Sequence, residues 1–212
     1  MADKLPTADP KALLEAKMKE SIHKNGLEYR GGFLTVDYVQ EIFTTENLAE
    51  QLNNHPEGRR HSAHHRTQLA VSIREKQKQL YSILLLIGES RRIHQIQRMP
   101  KSEAMLISDE YLFEPTTNIY ELERLQSMTF FDGIADAFYR KQWIFPPSLS
   151  AQKTLEFPAE HFRFPFTSKR RTLGNGYHGD VYAVEVSDFF LQTKQSNDRS
   201  QVWSCISLLY SC

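Results

Sequence analysis

Thr67-Gln68-Leu69-Ala70-Val71-Ser72-Ile73-Arg74-Glu75-Lys76-Gln77-Lys78-Gln79-Leu80-Tyr81-Ser82-Ile83-Leu84-Leu85-Leu86-Ile87 carries the strongest helical signal in the chain. Leu69, Ile73, Leu80, Leu84 and Ile87 fall on one face at the helical period, with Ser72, Glu75, Lys78 and Gln79 around it. The stretch reads as one helix over about 67–87, closed by Gly88. Upstream, Asp9 is placed to cap a helix whose first residue is Pro10, with Leu14, Met18 and Ile22 as a narrow apolar stripe. Asn25-Gly26 stops it. Thr35 caps a short helix carrying Val36, Val39, Ile42 and Phe43, and Thr45 caps another with Leu48 and Leu52. Residues 53–66 are polar and read as a loop. Downstream, Ser90 is placed to cap a short helix with Ile93 and Ile96, and 101–118 reads as an irregular connector. The helical period returns over 119–143, with a break near Ser127, and Pro146-Pro147 ends it.

Composition narrows the function classes. Lys plus Arg and Asp plus Glu both number 26, so no net charge draws the chain to nucleic acid or to an anionic membrane. Ile83-Leu84-Leu85-Leu86-Ile87 is the longest apolar run, far short of the about 18 residues of a membrane span. Met1-Ala2-Asp3-Lys4 leads into no secretory signal. The two cysteines, Cys205 and Cys212, form neither a disulfide framework nor a zinc site, which suits a reducing interior, cytoplasm or nucleus.

After residue 147 the character changes. Phe162-Arg163-Phe164-Pro165-Phe166-Thr167-Ser168 alternates, and Asp180-Val181-Tyr182-Ala183-Val184-Glu185-Val186 is β-branched. Between them lies Leu173-Gly174-Asn175-Gly176-Tyr177-His178-Gly179, a G-x-G-x-x-G spacing. In a dinucleotide-binding fold these glycines join a strand to a helix. Here the following segment is strand-like, which favours a hairpin whose tip lies over ATP phosphates, or a plain hairpin with a flexible tip. The fold class expected is therefore α+β: a mainly α region followed by a β-hairpin.

The run Leu173-Gly174-x-Gly176-x-x-Gly179-x-Val181-Tyr182 resembles the first motif of eukaryotic protein kinases. Leu80 to Ile87, Ser108 to Leu112, Gln142 to Pro147 and Phe164-Pro165-Phe166 precede it in order. Together they resemble a group of filamentous-fungal protein kinases with a helical N-terminal extension. Residues 1–9 read as disordered and 10–147 as a helical extension, and the resemblance implies an incomplete kinase small lobe over 162–212. It implies ATP as the bound nucleotide, Mg²⁺ beside it, and phosphorylation of Ser or Thr in proteins as the parent activity. Gly174, Gly176 and Gly179 would contact phosphate, Val181 would cover adenine, and Leu173 and Asn175 would belong to the same nucleotide-binding stretch. Lys194 is the only lysine past Gly179; it is either the lysine that holds the phosphates or a solvated loop residue, since the alanine two positions before it is missing. No H-R-D and no D-F-G occurs in the sequence. The chain therefore reads as a truncated kinase, inactive alone, binding ATP weakly if at all, with no catalytic residue to assign and the protein substrate or partner open. A helical protein-interaction module without nucleotide binding is the alternative.

Two further clusters invite a site. His61, His64 and His65 suggest a metal, but Arg59, Arg60 and Arg66 would repel a cation, and the stretch reads as a solvated basic loop. Without interleaved aromatics it also makes a poor nucleic-acid surface. Asp109-Glu110 reads as a helix or turn cap rather than an acid–base pair. Trp143 and Phe145 read as packing at the end of a helix bundle, or as a partner anchor.

Overall fold

Asp9 accepts a hydrogen bond from the Lys11 N–H at 3.1 Å, and Pro10 opens α1, Pro10–Asn25. The computed structural model describes residues 9–25, 32–112, 121–145, 171–176 and 179–183, of which 21–25 and the two last stretches are described by their backbone alone. Thr35 caps α2, Val36–Ile42, through Tyr38 N–H at 3.3 Å. The next cap is one residue earlier than the sequence suggests. Thr44, not Thr45, accepts from Asn47 N–H at 3.2 Å and opens α3, Thr45–Asn54.

The polar stretch 53–66 is not a loop. Pro56 starts a single-turn helix, α4, Pro56–Arg59, and Ser62 caps α5, Ala63–Lys76, through His65 N–H at 3.2 Å. Nor is 67–87 one helix. Gln77 leaves helical geometry (φ −138°, ψ 28°) and divides α5 from α6, Lys78–Leu86. Leu80 to Leu85 are then buried in six consecutive positions, so α6 is the central helix rather than an amphipathic surface one. Ser82, the polar member of that run, donates its hydroxyl to the Lys78 carbonyl at 2.7 Å. Gly88 (φ +81°) ends α6 as a left-handed cap: its N–H meets Leu85 O at 3.2 Å, and Glu89 N–H meets Leu84 O at 2.8 Å.

A 3₁₀ turn, Ser90–Arg92, leads into α7, Ile93–Ile96. The expected irregular connector contains α8, Lys101–Leu106, and α9, Asp109–Leu112. The break near Ser127 holds: α10, Leu122–Ser127, a 3₁₀ turn, Thr129–Phe131, and α11, Ala135–Gln142. Helices α1, α2, α5, α9 and α11 pack on α6, and α3 lies along α5. The core runs from Leu14 to Phe145, with Trp143, Ile144 and Phe145 all buried, so the terminal aromatics are packing residues. Leu34 N–H donates to the Ile144 carbonyl at 2.7 Å and ties the end of the bundle to its early part.

These findings overturn the α+β class. The body is 75% helical and no strand enters it; the fold is mainly α. Outside that body, the backbone segments Arg171–Gly176 and Gly179–Ala183 pair antiparallel with each other, the one strand pairing among the described residues. Two short segments do not make a sheet layer able to carry a core. Most of 162–212, the expected small lobe, lies outside the described residues. The regions 1–8 and 162–168, Lys194 and the tail beyond it lie outside the described residues.

Candidate functional site

The glycine motif can be placed by its backbone alone. Gly174 lies opposite Val181, Asn175 opposite Asp180 and Gly176 opposite Gly179, with a register irregularity between Thr172 and Gly174, on either side of Leu173. Peptide N–H groups flanked by glycine suit phosphate oxygens. A nucleotide site also needs a cation for the phosphates and carboxylates for Mg²⁺. Lys194 lies outside the described residues, and among these no group of three His, Cys, Asp or Glu is placed to hold a metal. The residues described do not by themselves make up an ATP site.

The helical body has a polar site that the sequence reading missed. The turn after α3, the start of α5 and α7 bring four imidazoles together. His55 Nδ1 faces His94 Nε2 at 3.4 Å, and His55 Nε2 faces Ser90 Oγ at 3.1 Å. The ring of His61 stacks on His65 with centroids 4.4 Å apart, and on His94 at 5.8 Å. His65 Nε2 in turn meets Gln97 Oε1. His94 is 3% exposed. A pocket of about 300 Å³ opens beside it, lined by Glu57, Glu89, Gln95 and the guanidinium groups of Arg91, Arg92 and Arg98.

Charge in this pocket is partly spoken for. Arg92 Nε pairs with Glu89 at 3.2 Å while its other nitrogens donate to the carbonyls of Phe130 and Asp132 at 3.0 and 2.8 Å, so it is a structural tie between α7 and the second half of the chain. Arg91 approaches the same Glu89 oxygen at 3.9 Å. Glu57 Oε2 and His94 Nδ1 are buried without a hydrogen-bond partner. Burial pushes His94 down to about 4, helped by His55 and His61. His55 is also lowered by burial, against the pull of Glu57. His61 is lowered by burial first, then by His65, Arg98 and Arg66. A backbone N–H holds Glu57 below its ordinary range, with His94 and Arg91 adding to it. At neutral pH His55, His61 and His94 are therefore held towards the uncharged form, beside ionised Glu57 and three arginines.

The metal reading of this region rested on His61, His64 and His65. The structure instead groups His61 and His65 with His55 and His94, while His64 is exposed. The crowding of His55, His61, His64 and His65 was the available signal. His94 could not be joined to them from sequence, because it lies on another helix.

Asp109 belongs to no acid–base pair. Its Oδ2 and Oδ1 accept from Gln79 N–H at 2.8 Å and Leu80 N–H at 2.9 Å, so it caps α6 from a distant part of the chain. Burial raises it to about 7, with those backbone donors pulling the other way. No helix among the described residues is long and apolar enough to cross a membrane. Compared with family models, curated proteins and solved structures, the chain matches none.

Proposed function

We propose that the chain is a protein-kinase-like polypeptide in which a self-contained helical unit precedes a nucleotide loop at 173–181. The 212 residues by themselves do not transfer phosphate. The observation that carries this division is the closure of the helical core at Trp143, Ile144 and Phe145, with Leu34 bonded back to Ile144, ahead of the glycine motif. The kinase half of the reading is supported by the order Gly174-x-Gly176-x-x-Gly179-x-Val181 and by the ordered motifs before it. The parent activity is ATP-dependent phosphorylation of Ser or Thr in proteins. It needs a catalytic Asp and a metal-binding Asp in motifs that this sequence does not contain.

Full-length cDNA sequencing tests the proposal. The expected frame continues past Val186 into a strand with Ala-x-Lys, then H-R-D and D-F-G. A message that ends at Cys212 sinks it. A second reading rests on the same closed core: the helices dock a protein partner with no nucleotide involved. Partner capture would then survive deletion of everything after residue 150, and titration with an ATP analogue would show no saturation.

A further inference from the structure

We propose that His55, His61, His65 and His94 form an acid-released latch that holds the segment 55–62 against α7. The facing nitrogens of His55 and His94, 3.4 Å apart, accommodate one proton between them. With both rings fully protonated, N–H would point at N–H. Neither ring can turn away cheaply, because His55 is also on Ser90 and His94 is buried. His61 lies over both His65 and His94, so a proton on any of these rings is felt by its neighbour across 4.4 to 5.8 Å.

The surroundings cannot absorb the added charge. Arg66 in α5 holds the carbonyls of Gly58 and His61, so one cation already sits under the segment. Arg91, Arg92 and Arg98 face the cluster from the α7 side. Against them stand Glu57 and Glu89, and Glu89 is occupied by Arg92 and Arg91. Acid therefore stacks positive charge on positive charge with a single carboxylate, Glu57, to offset it. The two sides of the latch differ in hold. α7 is anchored in the core by Ile93 and Ile96, whereas α4 is one turn long and none of its residues except Gly58 is buried. The segment 55–62 is the side that moves.

Hydrogen exchange on the full chain, corrected for the intrinsic pH effect, tests this at about pH 7 and about pH 5. Protection over 55–62 is expected to fall about tenfold at the lower pH, while 80–85 in α6 keeps its protection. Unchanged protection over 55–62 would overturn the proposal, and so would an equal loss over α6, which means global unfolding. In His94→Gln the pH dependence over 55–62 should shrink, since His55 and His61 remain; an undiminished dependence there also counts against the latch. Should that variant not fold, imidazole C–H resonances of the unaltered chain serve instead. His94 is expected to titrate at least about one unit below an ordinary imidazole, and an ordinary midpoint overturns the proposal.

Discussion

A single carboxylate decides how the central helix begins. Asp109 Oδ1 and Oδ2 take up the N–H groups of Leu80 and Gln79, donors that every helix start leaves open. Replacing Asp109 with Ala leaves two donors buried and unmet, and unfolding by denaturant should report a loss of about 3 kcal/mol. Asp109→Asn keeps one acceptor and the shape, and should cost about 1 kcal/mol. Gly58 is a second residue with no substitute. A Cβ there would meet the Leu52 carbonyl oxygen at 1.7 Å, so backbone has to move. Gly58→Ala is expected to cost about 1–3 kcal/mol, read as a drop in the denaturant midpoint at unchanged slope. The sequence announced a cap at Asp109 but not whose cap it was. Nothing in Gly58's neighbourhood announced the close approach to Leu52, because that contact is set by how α3 and α4 fold back on each other.

Local signals placed most element boundaries, and they failed where two choices were chemically equal or where packing took over. Pro10, Thr35, Gly88 and the break near Ser127 act as their residue types dictate. Thr44 and Thr45 are both competent caps, and only the extended geometry at Thr44 selects it. Thr44→Ala should therefore cost about 1 kcal/mol of stability, and Thr45→Ala close to nothing; thermal unfolding of the two variants separates them. The break at Gln77 carries neither Gly nor Pro. Gln77 is itself buried, its Oε1 accepting from Ser72 Oγ at 3.1 Å, and it bends the chain so that α5 can meet α3 while α6 enters the core. Periodicity alone could not show this, because Leu69 and Ile73 remain in phase with Leu80 and Leu84 across the bend. The polar stretch 53–66 misled for a related reason: His55, His61 and His65 find partners in and beside α7.

At the scale of the whole molecule, two buried titrating groups pull stability in opposite directions over one pH window. His94, lowered to about 4, holds fewer protons in the folded chain than an unfolded histidine near 6.5. Its contribution is complete above about 6.5 and is lost as pH falls towards about 4, by no more than about 3 kcal/mol. Asp109, raised to about 7, holds more protons folded than unfolded. That contribution is present below about 4 and is lost as pH rises towards about 7. The unaltered chain should therefore show a shallow profile between these limits. Asp109→Asn should unmask the histidine and make stability rise more steeply with pH, as denaturant titrations at several pH values would show. A profile of equal slope in both proteins would mean that Asp109 is ionised throughout.

The remote cap has a consequence for how the chain is made. Leu80 emerges from the ribosome 29 residues before the carboxylate that receives its N–H. At about 5–20 residues per second, α6 waits roughly 1–6 seconds for the residue that closes its first turn. During that interval the most apolar segment of the nascent polypeptide has its start unsealed, which makes translation speed over 81–109 a determinant of yield.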